Sequence, residues 1–205
     1  MQKVIFGFLM FFTSISLLGQ DKISNPVLKV FIDSLYSADQ AVQQNAIDAY
    51  QRTGSIDTFA VYEKIQIQTF EKHIPILKKI YSDNGYPTVD KVGKESTLHF
   101  FTLIQHADKD ISFQKKMLPI IKKQVDKGQI SGREYAYLYD RVQINSGKEQ
   151  LYGTQLEYDT EGNAIPKNLK DKQNVDQRRA AFKMETLEKY LVKATELHKQ
   201  MNRKK

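Results

Sequence analysis

The sequence predicts an all-α fold, an irregular multi-helix bundle with one short hairpin or loop excursion near residues 150–168. Three observations lead there. At least five stretches repeat apolar residues at three- and four-residue spacing, the period of a helix with one buried face. Capping residues and glycine or asparagine stops punctuate those stretches at their ends. Only residues 148–172 lose the helical period and take on turn chemistry.

Composition narrows the function classes. The chain has 205 residues, 40% hydrophobic and 27% charged, which is ordinary globular usage. It has no cysteine, so disulfides, thiolate zinc sites, cysteine nucleophiles and lipidated cysteines are excluded together. The formal charge is +7, but the lysines are dispersed and no stacking aromatics interleave them, so no nucleic-acid partner is expected.

The elements follow in order. Lys3, the apolar run from Val4 to Thr13 and then Ser14-Ile15-Ser16-Leu17-Leu18-Gly19 read as a signal peptide over 1–19, with Ser16 as the other cleavage position. The run is shorter than the ~20 residues that span a bilayer. The chain is therefore expected in the periplasm or outside the cell, with no stable membrane span after the leader is removed.

Residues 20–58 read as an N-terminal helical extension, with Val27, Val30, Phe31, Leu35, Ala38, Val42, Ala46 and Ala49 as its apolar stripe and Gly54 as its stop. The remainder, 59–205, reads as one α-helical domain. Its first helix covers 59–81, kinked at Pro75 and stopped by Asn84-Gly85. A third helix covers 96–107. Asp110 or Ser112 caps a fourth that ends near Gly128 and bends at Pro119, and Ser131 with Glu134 forms a capping box for a fifth. After the hairpin segment, Asn174 or Gln177 caps one last long helix, buried along Ala180, Met184, Leu187, Leu191, Ala194, Leu197 and Met201.

Few motifs carry chemistry. Gly93-Lys94-Glu95-Ser96 lacks the earlier glycine and the Ser or Thr after lysine that a phosphate loop needs. On a helical wheel His99, Thr102 and His106 lie opposite the apolar arc of the third helix. Histidines seven residues apart are separated by about 10 Å along the axis, too far to ligate one metal, so no metal site or cofactor is expected. On the fifth helix Arg133, Tyr137, Asp140 and Arg141 share a charged face, expected to be solvated. Arg178 is flanked by Val175 and Phe182, so its guanidinium should cross apolar surface to reach a carboxylate. The segment Gln150-Leu151-Tyr152-Gly153-Thr154-Gln155 is uncharged and dense in hydrogen-bonding groups, which suits either polar ligand recognition or a loop bonded to itself.

Taken together, Gly85-Tyr86-Pro87, Val92-Gly93, Gln105-His106-Ala107-Asp108, Tyr137-Leu138-Tyr139-Asp140-Arg141-Val142, the 150–155 segment and Asp176-Gln177-Arg178-Arg179 resemble an uncharacterised bacterial family known only as a domain of unknown function. The resemblance runs over roughly 59–191, with tyrosine at position 86 where the family pattern has tryptophan. It brings no activity. It does imply signature positions at Gln105, His106, Asp108, Asp140, Arg141, Tyr152, Gln155 and Arg178.

Three functional readings result. The first is a binding or interaction domain for a small polar or anionic ligand or a protein partner. Its pocket would form where the third, fifth and last helices meet the Tyr152 loop. Arg141 or Arg178 would receive the anion, and Gln105, Tyr152 and Gln155 would orient it. The alternative is a hydrolase in which His106 is the general base and Asp108 or Asp140 orients it. A purely structural or protein-interaction role is the third reading.

Overall fold

The computed structural model describes residues 23–202; the expected signal peptide lies outside them. Among the described residues seven helices and one two-stranded hairpin follow in order: α1 Pro26–Thr53, α2 Ile56–Asn84, α3 Val89–Gln105, α4 Ile111–Asp126, α5 Gly132–Asn145, β1 Leu156–Tyr158, β2 Ala164–Pro166, α6 Val175–Ala181 and α7 Leu187–Met201. The fold is all-α, as the periodicity predicts. No helix among the described residues is long and apolar enough to cross a membrane.

Local chemistry sets the boundaries. Asn25 accepts the Leu28 amide at 3.0 Å, with Pro26 at the first helical position, where its missing N–H costs nothing. Gly54 closes α1 in the left-handed conformation at φ 60°, and its amide bonds the Tyr50 carbonyl. Asp110 caps α4 by accepting the Phe113 amide at 2.9 Å. At α5 the expected reciprocal box is absent, and Ser131 Oγ bonds the buried Glu134 carboxylate directly instead. Both α2 and α4 continue past their internal prolines, Pro75 and Pro119.

Three elements differ from the sequence reading. Helix α3 starts at Val89, because one turn precedes a break at Gly93 (φ 80°, ψ 161°) that only glycine adopts easily. Along α1 the buried positions are Leu28, Ile32, Leu35, Asp39, Ala46 and Ala49, while Val27 and Val30 are 79% and 67% exposed. Both sides of its first turns are apolar, so period alone cannot choose between them. The last long helix is broken into α6 and α7. Lys183 turns the chain at φ 55°, Asp176 accepts the Leu187 amide at 2.7 Å, and Thr186 caps α7. Of the stripe expected there only Leu187 is buried. Helix α7 lies on the hairpin, where Thr195 accepts the Ala164 amide and His198 stacks on Tyr158 with centroids 3.7 Å apart.

Helix α1 is built into the core: Leu28, Ile32 and Leu35 join Leu77 and Ile80 of α2 and Phe100, Leu103 and Ile104 of α3. The amides of Ser24 and Asn25 bond the carbonyls of Asp90 and Lys91, so α1 and α3 begin together and run in the same direction. On the other side of α3, Phe113, Met117 and Ile121 of α4 pack with Leu138 and Val142 of α5.

Candidate functional site

The parallel course of α1 and α3 aligns two carboxylates with two histidines. Asp33 Oδ1 lies 2.8 Å from His99 Nδ1 and also accepts the Ser96 hydroxyl at 2.6 Å; Tyr36 stacks on the His99 ring at 3.8 Å. Two turns further along, both oxygens of Asp39 lie 2.9 Å from His106 Nδ1, and Phe70 of α2 stacks on that ring at 4.6 Å. The polar side of α3, opposite its apolar arc, is therefore packed against α1.

The two pairs differ in environment. Asp33 keeps 27% of its side chain exposed and is bonded to Lys29, whereas Asp39 keeps 1%. Asp39 is a fully buried carboxylate satisfied by His106 and by the amide nitrogens of Gln40 and Gln43, at 2.9 and 3.0 Å. A ring nitrogen facing two carboxylate oxygens must carry its proton, so His106 donates from Nδ1. Among the described residues no protein group bonds its Nε2, and the side chain remains 13% exposed. His73, one helical turn past Phe70, is buried as well, and its Nδ1 has no partner. Burial pushes the His73 ring below the ordinary histidine range. The nearby Asp39 charge opposes that shift, and the His106 charge adds to it.

Just beyond the end of α3, Asp108 forms a two-bond fork with Arg141 of α5. Its oxygens accept from Nε and Nη2, both at 2.7 Å, and Asn145 adds a bond at 3.0 Å. Burial pushes the Asp108 carboxyl up. The Arg141 guanidinium, with Gln114 and the nearby His106 charge, outweighs this and holds it below the usual range. Gln114, fully buried, also donates to the carbonyls of Ile104 and Gln105, which closes the end of α3. Gln105 thus meets this cluster through its backbone.

The remaining sequence-predicted residues form a second assembly. Asp140, expected on a solvated face, is fully buried. Its carboxylate accepts the amides of Leu151, Tyr152 and Thr154 and the Thr154 hydroxyl, at 2.9 to 3.2 Å. Gln150 spans the loop from the Gln155 amide to the Gln155 and Lys167 carbonyls. Arg178 does reach a carboxylate, Asp171 at 2.9 Å, and also bonds the carbonyls of Leu151, Lys170 and Asp171. The deeply buried arginine is its neighbour. Arg179 donates to the carbonyls of Tyr152 and Glu185, both at 2.7 Å, and lies over the Tyr190 ring. The Tyr152 ring meets Tyr139 and Phe182, and burial together with the charges of Tyr135, Asp140 and Tyr139 pushes its phenol up to about 12. The 150–155 segment is thus bonded to itself and to α5 and α6.

Of the carboxylates expected beside His106, Asp108 is taken by Arg141 and Asp140 by the loop, and the residue that holds the imidazole is Asp39. Among the described residues no three His, Asp or Glu side chains are arranged to hold a metal ion.

A family model described as a family of unknown function, DUF6624, matches residues 26–199. The chain belongs to the DUF6624 family. No curated protein and no solved structure matches it. The match begins at the first residue of α1, so within this DUF6624 chain Asp39, His73 and His106 all fall inside the family's span.

Sequence reasoning missed Asp39, His73 and the buried role of Arg179. A signal existed for the first two. Asp39 continues the Leu28, Ile32, Leu35 series at helical spacing, and His73 sits among Phe70, Ile74 and Leu77. Each is a titratable group placed in an apolar stripe, where it must find a partner or a function.

Proposed function

We propose that this DUF6624 chain is a hydrolytic acid–base catalyst of the exported compartment, acting on a small polar substrate at the seam of α1, α2 and the end of α3, with His106 as general base. The observation that carries this reading is the Asp39–His106 pair. A buried carboxylate fixes the Nδ1–H tautomer, so the unbonded Nε2 presents its lone pair. In that arrangement His106 Nε2 takes a proton from water as the O–H bond breaks. The oxygen keeps the electron pair and attacks the electrophilic centre, and the imidazolium then returns the proton to the leaving group. Asp39 balances the positive charge that His106 carries in between, and the ring stack on Phe70 holds the plane of the base.

The Asp108–Arg141 fork stands beside this base as a fixed charge pair, and the Tyr152 loop acts as the scaffold that holds α5 and α6. A panel of p-nitrophenyl esters, phosphoesters and glycosides tests the reading. Wild-type protein is expected to turn over at least one class, and His106→Gln to lose about a hundredfold or more in kcat, the usual contribution of a general base. Turnover undiminished in His106→Gln, or no class turned over faster than by free imidazole, would contradict it.

A further inference from the structure

Helix α7 carries more apolar surface than the domain covers. Val192 is 51% exposed and Leu191 is only partly buried. Both line a groove of about 720 Å³ between α7 and the start of α6, together with the buried Val175 and Leu187. Along the same groove Glu188, Val192, Thr195 and Lys199 follow one another at spacings of four, three and four residues. That spacing sets the four side chains in one row on a helix, as in the seam of a coiled coil. The row reads acid, aliphatic, threonine, base, and spans about 16 Å of helix axis. Its basic end is held against the hairpin: the Thr195 hydroxyl accepts the Ala164 amide at 2.9 Å, and Lys199 Nζ donates to Asn163 at 2.7 Å.

We infer that this row is the contact between two copies of the chain, which pair through α7 in antiparallel fashion about a two-fold axis passing between Lys193 and Ala194. The order of the row selects both the occupant and its direction. Turned end for end, the row sets Glu188 opposite Lys199 of the second copy and Val192 opposite its Thr195, so the same patch is complementary to itself, as a two-fold contact requires. A parallel pair would face Glu188 with Glu188 and Lys199 with Lys199, and like charges in contact oppose it. Leu191 widens the apolar contact on the side of the buried Leu187, and Glu196 forms its charged margin on the other side. Pairing removes Val192 and the aliphatic lining of the groove from water. A contact of this length lies at the small end of protein interfaces, so the association is expected in the micromolar range. It does not depend on the hydrolytic reading.

Sedimentation velocity on the full chain, from about 1 to about 300 μM, tests the inference. Wild type should pass from monomer to dimer as concentration rises. Val192→Glu changes an exposed side chain, so it should keep the wild-type melting temperature yet stay monomeric throughout. Glu188→Lys alone faces lysine with lysine and should weaken association about tenfold or more. Combined with Lys199→Glu, it should recover to within about threefold of wild type. The chain has no cysteine, which allows a second measurement. Glu188→Cys mixed with Lys199→Cys should cross-link on oxidation, whereas neither variant should cross-link with itself, because like positions lie about 16 Å apart across the pair. A wild-type monomer at every concentration overturns the inference and leaves the row to a different protein. A dimer that persists in Val192→Glu, or a cross-link within either cysteine variant alone, overturns it as well. Association that vanishes when residues 1–19 are removed would belong to the leader, and that too overturns it.

Discussion

Asp140 and Thr154 meet twice: one carboxylate oxygen, Oδ2, accepts both the Thr154 amide and its hydroxyl at 3.0 Å, while Oδ1 accepts the Leu151 amide at 2.9 Å. The carboxylate does for this loop what a cap does for a helix, gathering several donors that would otherwise be buried unmatched. Asp140→Asn removes the charge and turns an amide NH2 toward these donors. It should destabilise the domain by about 2 to 4 kcal/mol, since each charge-assisted bond contributes roughly 1.5 to 3. Thermal or urea unfolding measures this, and a change below 0.5 kcal/mol, the range of an ordinary surface substitution, would contradict it.

The same residue shows how much the sequence carries. The stops at Gly54 and Gly85 and the Asp110 cap are local signals, and all are visible in the chain. The hairpin around Asp159 is legible for the same reason: its side chain accepts the amides of Glu161 and Asn163 within five residues. What a polar face packs against is a long-range fact. Asp140 falls on a charged face of α5, and only the fold shows that a loop eleven residues later closes over it. The partner of His106 is separated from it by 67 positions, on a helix read as an extension. The break between α6 and α7 escaped notice because the apolar period continues through it while the backbone turns at Lys183.

Arg178 and Arg179 should separate in stability. Arg179→Met removes a fully buried guanidinium and leaves the Tyr152 and Glu185 carbonyls without it, and should cost about 2 to 4 kcal/mol. Arg178→Met exposes carbonyls that water can reach and a pair with an exposed aspartate, so its cost should be about 1 kcal/mol. Chemical denaturation of both variants decides it, and a larger loss for Arg178→Met would reverse the assignment of the buried arginine.

Acid should act in two windows. Burial holds the folded His73 ring below its unfolded value near 6.5. As pH falls past 6.5 the unfolded chain takes up that proton first, so stability declines from there until the folded ring protonates. His73→Phe should remove this limb. Asp33, Asp108 and Asp110 behave oppositely, being held below 3.8 in the folded state; Lys78, Ser112 and the Phe113 amide bring Asp110 to about 2. Their stabilisation is complete above about pH 4 and is lost as pH falls through the folded values. Melting temperatures measured from pH 8 to pH 2 should therefore show two separate declines in wild type and only the lower one in His73→Phe. A flat profile between pH 7 and 5 in wild type would contradict the first.

The proposed chemistry turns on the proton held between Asp39 and His106, which ring-nitrogen NMR at pH 8 observes directly. The expected result is a His106 ring protonated at Nδ1 and bare at Nε2, with a downfield Nδ1–H resonance that disappears in Asp39→Asn. A neutral His106 carrying its proton on Nε2 instead, with the same resonances in Asp39→Asn as in wild type, would mean that Asp39 does not set the base and would remove the proposed chemistry.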